Sequence, residues 1–132
     1  MTDQAVTRGF LAVVGAAYIA LAAWCAISPT QTANSVGYTF RSGSGMSEYM
    51  TVYGGLQLGL GLFFLWPMLR PEQFFTVLMA CLLVHGCIVL FRVPSLLLVS
   101  GIERTTYFLV ATEVTILVLS LWRFVMTGER HY

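Results

Sequence analysis

Apolar residues dominate four long runs, at residues 10–27, 51–68, 74–91 and 106–125, and polar residues gather between them. At about 1.5 Å of rise per residue each run reaches roughly 27–30 Å, close to the hydrocarbon thickness of a bilayer. Backbone groups in lipid have to be satisfied internally, so runs this long and this apolar are expected to be helices. A membrane β-barrel would instead show short alternating segments. The pattern predicts an all-α integral membrane four-helix bundle with both termini on the same side, in one transmembrane domain over residues 1–132.

Composition supports this. Hydrophobic residues make up 58% of the chain and charged residues 10%, too little charge for the exterior of a soluble bundle of this size. The first run is longer than the apolar core of a secretory leader, so it reads as a retained span after a polar tail at residues 2–9. All seven basic residues are Arg, scattered along the chain, which excludes a nucleic-acid surface and a polybasic lipid-binding tail.

The connections differ in length. Residues 29–50 form a long loop rich in Ser, Thr and Gly, of the length that often carries function. Residues 69–73 make a tight hairpin, with Pro71 at the start of the third span. Residues 92–105 form a second loop, whose apolar centre at 96–99 is expected to lie in the membrane interface. The termini and the hairpin share one side, called side A, with Arg8, Arg70, Arg123 and Arg130. Side B holds Arg41, Arg92 and Arg104. Four arginines against three favour a cytoplasmic side A, and the expected location is the bacterial inner membrane. Trp24, Trp66 and Trp122 fit interfacial belts.

Within a bilayer the polar residues inside the spans carry the information. Counting helical rise from side B puts Gln57, His85 and Glu113 all about 9–10 Å deep. Tyr53, Tyr107 and Arg92 lie nearer side B, and Glu48 and Glu103 at its rim. The side-A half of the spans reads as almost wholly apolar. Cys81, His85 and Arg92 share one helical face, Thr106, Glu113 and Ser120 another, and Tyr53, Gln57 and Gly61 a third. The expectation is a polar pocket opening toward side B, in which Gln57, His85, Arg92 and Glu113 face one another. Arg92 is expected to pair with Glu113, with Glu48 as the competing partner; Glu113 could pair with His85 instead. Such an ion pair can also be purely structural, fixing helix register.

No metal and no cofactor are implied. Cys25, Cys81 and Cys87 form no CxxC pair, which argues against a thiol oxidoreductase. No ligand spacing suits zinc, and His131 lies too far from His85 to share a haem. Small residues at Gly54, Gly55, Gly59 and Gly61 in the second span, and at Ala12, Ala16 and Ala20 in the first, are expected to let helices approach closely, within the bundle or across a dimer face.

Residues 48–61, Glu-Tyr-Met-Thr-Val-Tyr-Gly-Gly-Leu-Gln-Leu-Gly-Leu-Gly, resemble the signature of a bacterial family of small four-helix membrane proteins of unknown function, broadly similar in architecture to DoxX-like proteins. That family's pattern has Glu, Arg two residues later, then Tyr-Gly-Gly, with an Arg late in the third span and a Glu in the fourth. Glu48, Tyr53, Gly54, Gly55, Arg92 and Glu113 match it. Met50 stands where Arg is usual, so Glu48 lacks that neighbour. The resemblance implies fold and membrane location and brings no activity.

Three functions follow from these readings. The first is binding of a small amphipathic or lipid-like molecule, with Arg92, Glu113, His85, Gln57, Tyr53, Glu48 and Tyr107 as candidate contacts and no catalysis. The second is an accessory subunit of a larger membrane complex, or a homo-oligomer. The third is an isomerase-like enzyme using His85 and Glu113 as an acid–base pair. Membrane lipid is the partner common to all three.

Overall fold

A computed structural model describes residues 3–128. Arg130 and His131 lie outside the described residues. Six α-helices follow in order: α1 (Asp3–Ile27), α2 (Pro29–Asn34), α3 (Gly43–Tyr49), α4 (Gln57–Leu69), α5 (Phe74–Leu98) and α6 (Arg104–Gly128). A π-helical segment, Met50–Leu56, joins α3 to α4 without a break, and a 3-10 turn, Pro71–Gln73, leads into α5. Four helical stretches are long and apolar enough to cross a membrane. The chain is an all-α four-helix bundle.

The helices outrun the apolar runs. The polar tail is the first two turns of α1, and the second span begins at Gly43 rather than near residue 51. The loop expected at 92–105 shrinks to 99–103, because α5 continues through Pro94 to Leu98. A proline removes one backbone donor, and this one falls in the last turns of the helix, where few ladder bonds remain to be lost. The long 29–50 connection also contains structure. Pro29 starts α2, Gly37 turns the chain with φ of 83°, and the Ser42 hydroxyl caps α3 by accepting from the Gly45 N–H at 3.4 Å.

Lipid gives apolar surfaces no reason to prefer one another, so close backbone approach and polar clasps decide the packing. α1 packs most extensively on α4 and the π-helical segment, and α5 on α6. The α1–α4 contact centres on Gly15 and Gly61. A Cβ built on Gly61 would lie 2.7 Å from Ile19 Cγ1 and 2.9 Å from the Gly15 carbonyl, and one on Gly15 would lie 2.8 Å from the Gly61 carbonyl. Gly54 also faces α1, near Ala22 and Ala26. The expectation of close approach within the bundle is corrected for the other small residues: Gly55 and Gly59 have nothing within 4 Å, Ala16 and Ala20 are exposed, and Ala12 is half-buried. The face of α1 that meets its neighbours runs through Leu11, Gly15, Ala22 and Cys25 instead.

The main apolar core, Leu11, Val14, Phe64, Val77, Leu78 and Cys81, fills the bundle on the side-A half. A smaller one, Cys25, Ala33 and Tyr49, lies under α2 and α3 on side B. Threonines on the lipid face satisfy themselves: Thr112 and Thr115 donate to the carbonyls four residues back, at 3.0 and 2.7 Å.

Candidate functional site

His85 is fully buried midway along α5. Its Nδ1 lies 2.8 Å from the Cys81 carbonyl one turn earlier. A carbonyl only accepts, so Nδ1 carries the proton and Nε2 offers a lone pair. Tyr18 of α1 donates its hydroxyl to that lone pair at 3.2 Å, with its ring edge-on to both His85 and Phe64. Cys81 Sγ in turn sits 3.4 Å from the Ser120 hydroxyl of α6. One chain of polar contacts thus ties α1, α5 and α6 together inside an apolar layer. Sequence reasoning missed Tyr18, because a tyrosine within an apolar run reads as one more apolar residue.

Two turns further toward side B, Arg92 meets Glu113 of α6. The contact is a two-point fork, Nε to Oε2 at 2.9 Å and Nη2 to Oε1 at 2.8 Å. The guanidinium and carboxylate planes match in this geometry, and the charge strengthens both bonds. The predicted pairing of Arg92 with Glu113 is the one the structure has. Neither predicted alternative occurs: Glu48 is exposed on α3 and has no ion pair among the described residues, and His85 bonds to Tyr18 and Cys81.

An open cleft of about 350 Å³ lies at side B between the 38–45 segment and the start of the second span, walled by Tyr38, Phe40, Tyr49 and Tyr53, with Arg41 and Ser42 at its mouth. The local winding builds it. Tyr49 and Tyr53 are four residues apart, and across the junction from α3 into the π-helical segment their rings stack at 4.5 Å. Phe40 stands edge-on to Tyr49 at 5.3 Å, and Tyr38 lies tilted 6.4 Å from Tyr53. The Tyr49 hydroxyl anchors the stack to α1 through Cys25 Sγ at 3.7 Å. π-Helical turns recur at functional sites because they re-aim side chains without ending the helix.

The predicted site residues therefore separate into groups. Arg92 and Glu113 form one pair, and Tyr53 lines the cleft. His85 belongs to a layer below, closed by its own partners. Gln57 is half-buried at the start of α4, and its Oε1 is buried without a hydrogen-bond partner. Tyr107 is corrected: it is 56% exposed, on the outward face of α6. Among the described residues, no three His, Cys, Asp or Glu side chains gather to hold a metal.

Side A carries a polar group that the pattern of runs concealed. Arg123, counted from sequence as an interfacial charge, is buried. It donates to the Thr7 hydroxyl from Nε and Nη2 at 3.1 and 3.0 Å, and to the Asp3 carbonyl at 2.9 Å, with the Asp3 carboxylate 3.7 Å away. Beside it Arg8 donates to the Pro67 carbonyl at 2.9 Å. That carbonyl would ordinarily accept from the residue four further on, which is Pro71 and has no N–H. Gln4 likewise donates to the Pro71 carbonyl at 3.1 Å. The helices are clasped by polar bonds at side A and mid-depth. The side-B fork joins α5 only to α6.

Residues 6–124 match the model of a family described as a domain of unknown function, DUF4345. The chain belongs to the DUF4345 family. No curated protein and no solved structure matched it. For this DUF4345 chain the geometry of the site carries the functional reading.

Proposed function

We propose that this DUF4345 protein binds a small amphipathic molecule in the side-B cleft, its apolar body against the tyrosine and phenylalanine rings and its polar head at Arg41. The cleft itself carries the reading. Its volume is in the range of small-molecule sites, its walls are aromatic, and Arg41 at its mouth has no ion-pair partner among the described residues. Arg92, the guanidinium expected from sequence to hold the head, is already neutralised by Glu113. The acid–base alternative has less support, since both nitrogens of His85 and both oxygens of Glu113 are engaged.

The same proposal puts the protein in the bacterial inner membrane with side A cytoplasmic, so that the cleft faces the opposite compartment, and likens its architecture to DoxX-like proteins. Binding of a dansylated fatty acid to the protein in lipid nanodiscs, corrected for empty discs, tests the cleft. Arg41→Ala is expected to weaken it about tenfold, in line with loss of one charge-assisted contact. Equal affinity of the variant and the parent refutes the assignment.

A further inference from the structure

We infer that the ligand carries a hydrogen-bond donor part-way along its apolar body, and that Gln57 receives it. The inference rests on the cleft reading above and adds a chemical class, a hydroxylated amphiphile.

Gln57 Oε1 is a buried unsatisfied acceptor in this half of the bundle, where no other buried side-chain acceptor among the described residues lacks a partner. Other polar groups of this half are committed to one another. Tyr18 donates to His85, His85 to Cys81, and Arg92 to Glu113. An amide carbonyl accepts and does not donate, so the missing partner has to offer an O–H or N–H, and an anion cannot serve. A buried acceptor left unmet is costly, and native folds rarely keep one without a role for it.

Position links this acceptor to the cleft. Gly54 and Gly61, three residues before Gln57 and four after it, both meet α1, which places Gln57 on the inward stripe of the second span. Below it the bundle is sealed by Phe64, fully buried against the rings of Tyr18 and His85. Above it, one turn toward side B, stands Tyr53, a wall of the cleft. Gln57 is thus about 6 Å beyond the cleft's inner wall along the helix. Gln57 does not itself line the cleft and its carbonyl is closed over, so a chain lying on the Tyr49–Tyr53 stack meets it when the amide turns toward Tyr53. Head at Arg41, body on the rings and donor at Gln57 define three points on one molecule.

The test compares stearate, a mid-chain hydroxystearate and the methyl ether of that hydroxystearate, bound to the protein in nanodiscs and read by native mass spectrometry. Hydroxystearate is expected to bind roughly tenfold more tightly than the other two, the worth of one hydrogen bond made to a buried acceptor. Gln57→Leu is expected to bring all three within about twofold of one another. Equal binding of the three to the parent overturns the inference, as does a preference that survives in Gln57→Leu. If Gln57→Leu does not accumulate, the ranking on the parent decides. Equal binding that still depends on Arg41 would leave the cleft standing and remove only the donor. Failure of all three to bind removes both.

Discussion

Replacing Gly61 by alanine adds one methyl group where there is no room for it. The new Cβ would lie 2.7 Å from Ile19 Cγ1, 2.9 Å from the Gly15 carbonyl and 3.0 Å from the Ile19 backbone nitrogen. A side-chain tip can rotate away, but the two backbone atoms cannot, so α1 and α4 have to part. Bringing the 2.9 Å contact with the Gly15 carbonyl to an ordinary 3.4 Å requires about half an ångström of separation. A gap of that size forfeits a quarter to a half of the dispersion energy along the seam, and overpacking costs about 1–3 kcal/mol in general. Gly61→Ala is therefore expected to destabilise the bundle by about 2–3 kcal/mol, and Gly15→Ala by a similar amount. The double variant is expected to cost less than the two together, because one separation accommodates both methyls. Gly55→Ala and Gly59→Ala meet nothing within 4 Å and serve as controls, neutral or slightly stabilising through the better helix propensity of alanine. Reversible unfolding in bicelles, followed by steric trapping, measures all five. Gly61→Ala as stable as Gly59→Ala would refute the close approach of α1 and α4.

Three further outcomes follow from the polar clasps. Glu113→Leu leaves the Arg92 guanidinium, a third exposed, without its fork and is expected to cost about 2–3 kcal/mol in the same unfolding assay, and Arg92→Lys about 1 kcal/mol through loss of the two-point geometry; an unchanged Glu113→Leu would mean that the pair contributes nothing. Tyr18→Phe removes the donor to His85 and is expected to cost about 1–2 kcal/mol. The Tyr18 and Cys81 contacts require the proton of His85 to sit on Nδ1, which nitrogen-15 spectra of labelled protein report directly; a proton on Nε2 is incompatible with a hydroxyl donated from Tyr18 to that nitrogen. Arg123→Met is expected to destabilise the bundle more than Arg70→Met, since Arg123 is buried with three hydrogen bonds and Arg70 is exposed; equal effects would count against the side-A clasp.

The spans and the Arg92–Glu113 pair were legible because each is an exception to its surroundings, an apolar run in a chain or a charge in an apolar run. Depth counted from helical rise put Glu113 level with Gln57 and His85 and Arg92 nearer side B, and pairing was expected because a charge within a span seeks an opposite one. Phase was harder to read. Gly55, Gly59, Gly61 and the alanines of α1 sit in helices apolar on every side, so hydropathy does not say which face turns inward, and the Gly-x-x-x-Gly spacing at 55–59 points outward while Gly61 makes the contact. The cleft was hidden for a different reason. A π-helical segment has no hydropathy signature, yet it sets how Tyr53 stands on Tyr49, and the loop expected before it contains the helices that bring Tyr38 and Phe40 alongside. Arg123 was misread because an arginine near the end of a span fits a topology signal equally well whether it faces water or Thr7.

The side-A clasp joins the two ends of the chain. Thr7 and Arg123 are 116 residues apart in sequence and share two hydrogen bonds. During synthesis α1 enters the membrane first, and α6 arrives with a guanidinium whose partners have waited there since the beginning. Until they meet, Arg123 is held toward the membrane surface by the cost of burying an unpaired charge. The contact is thus one that α1 makes only once α6 has entered the membrane.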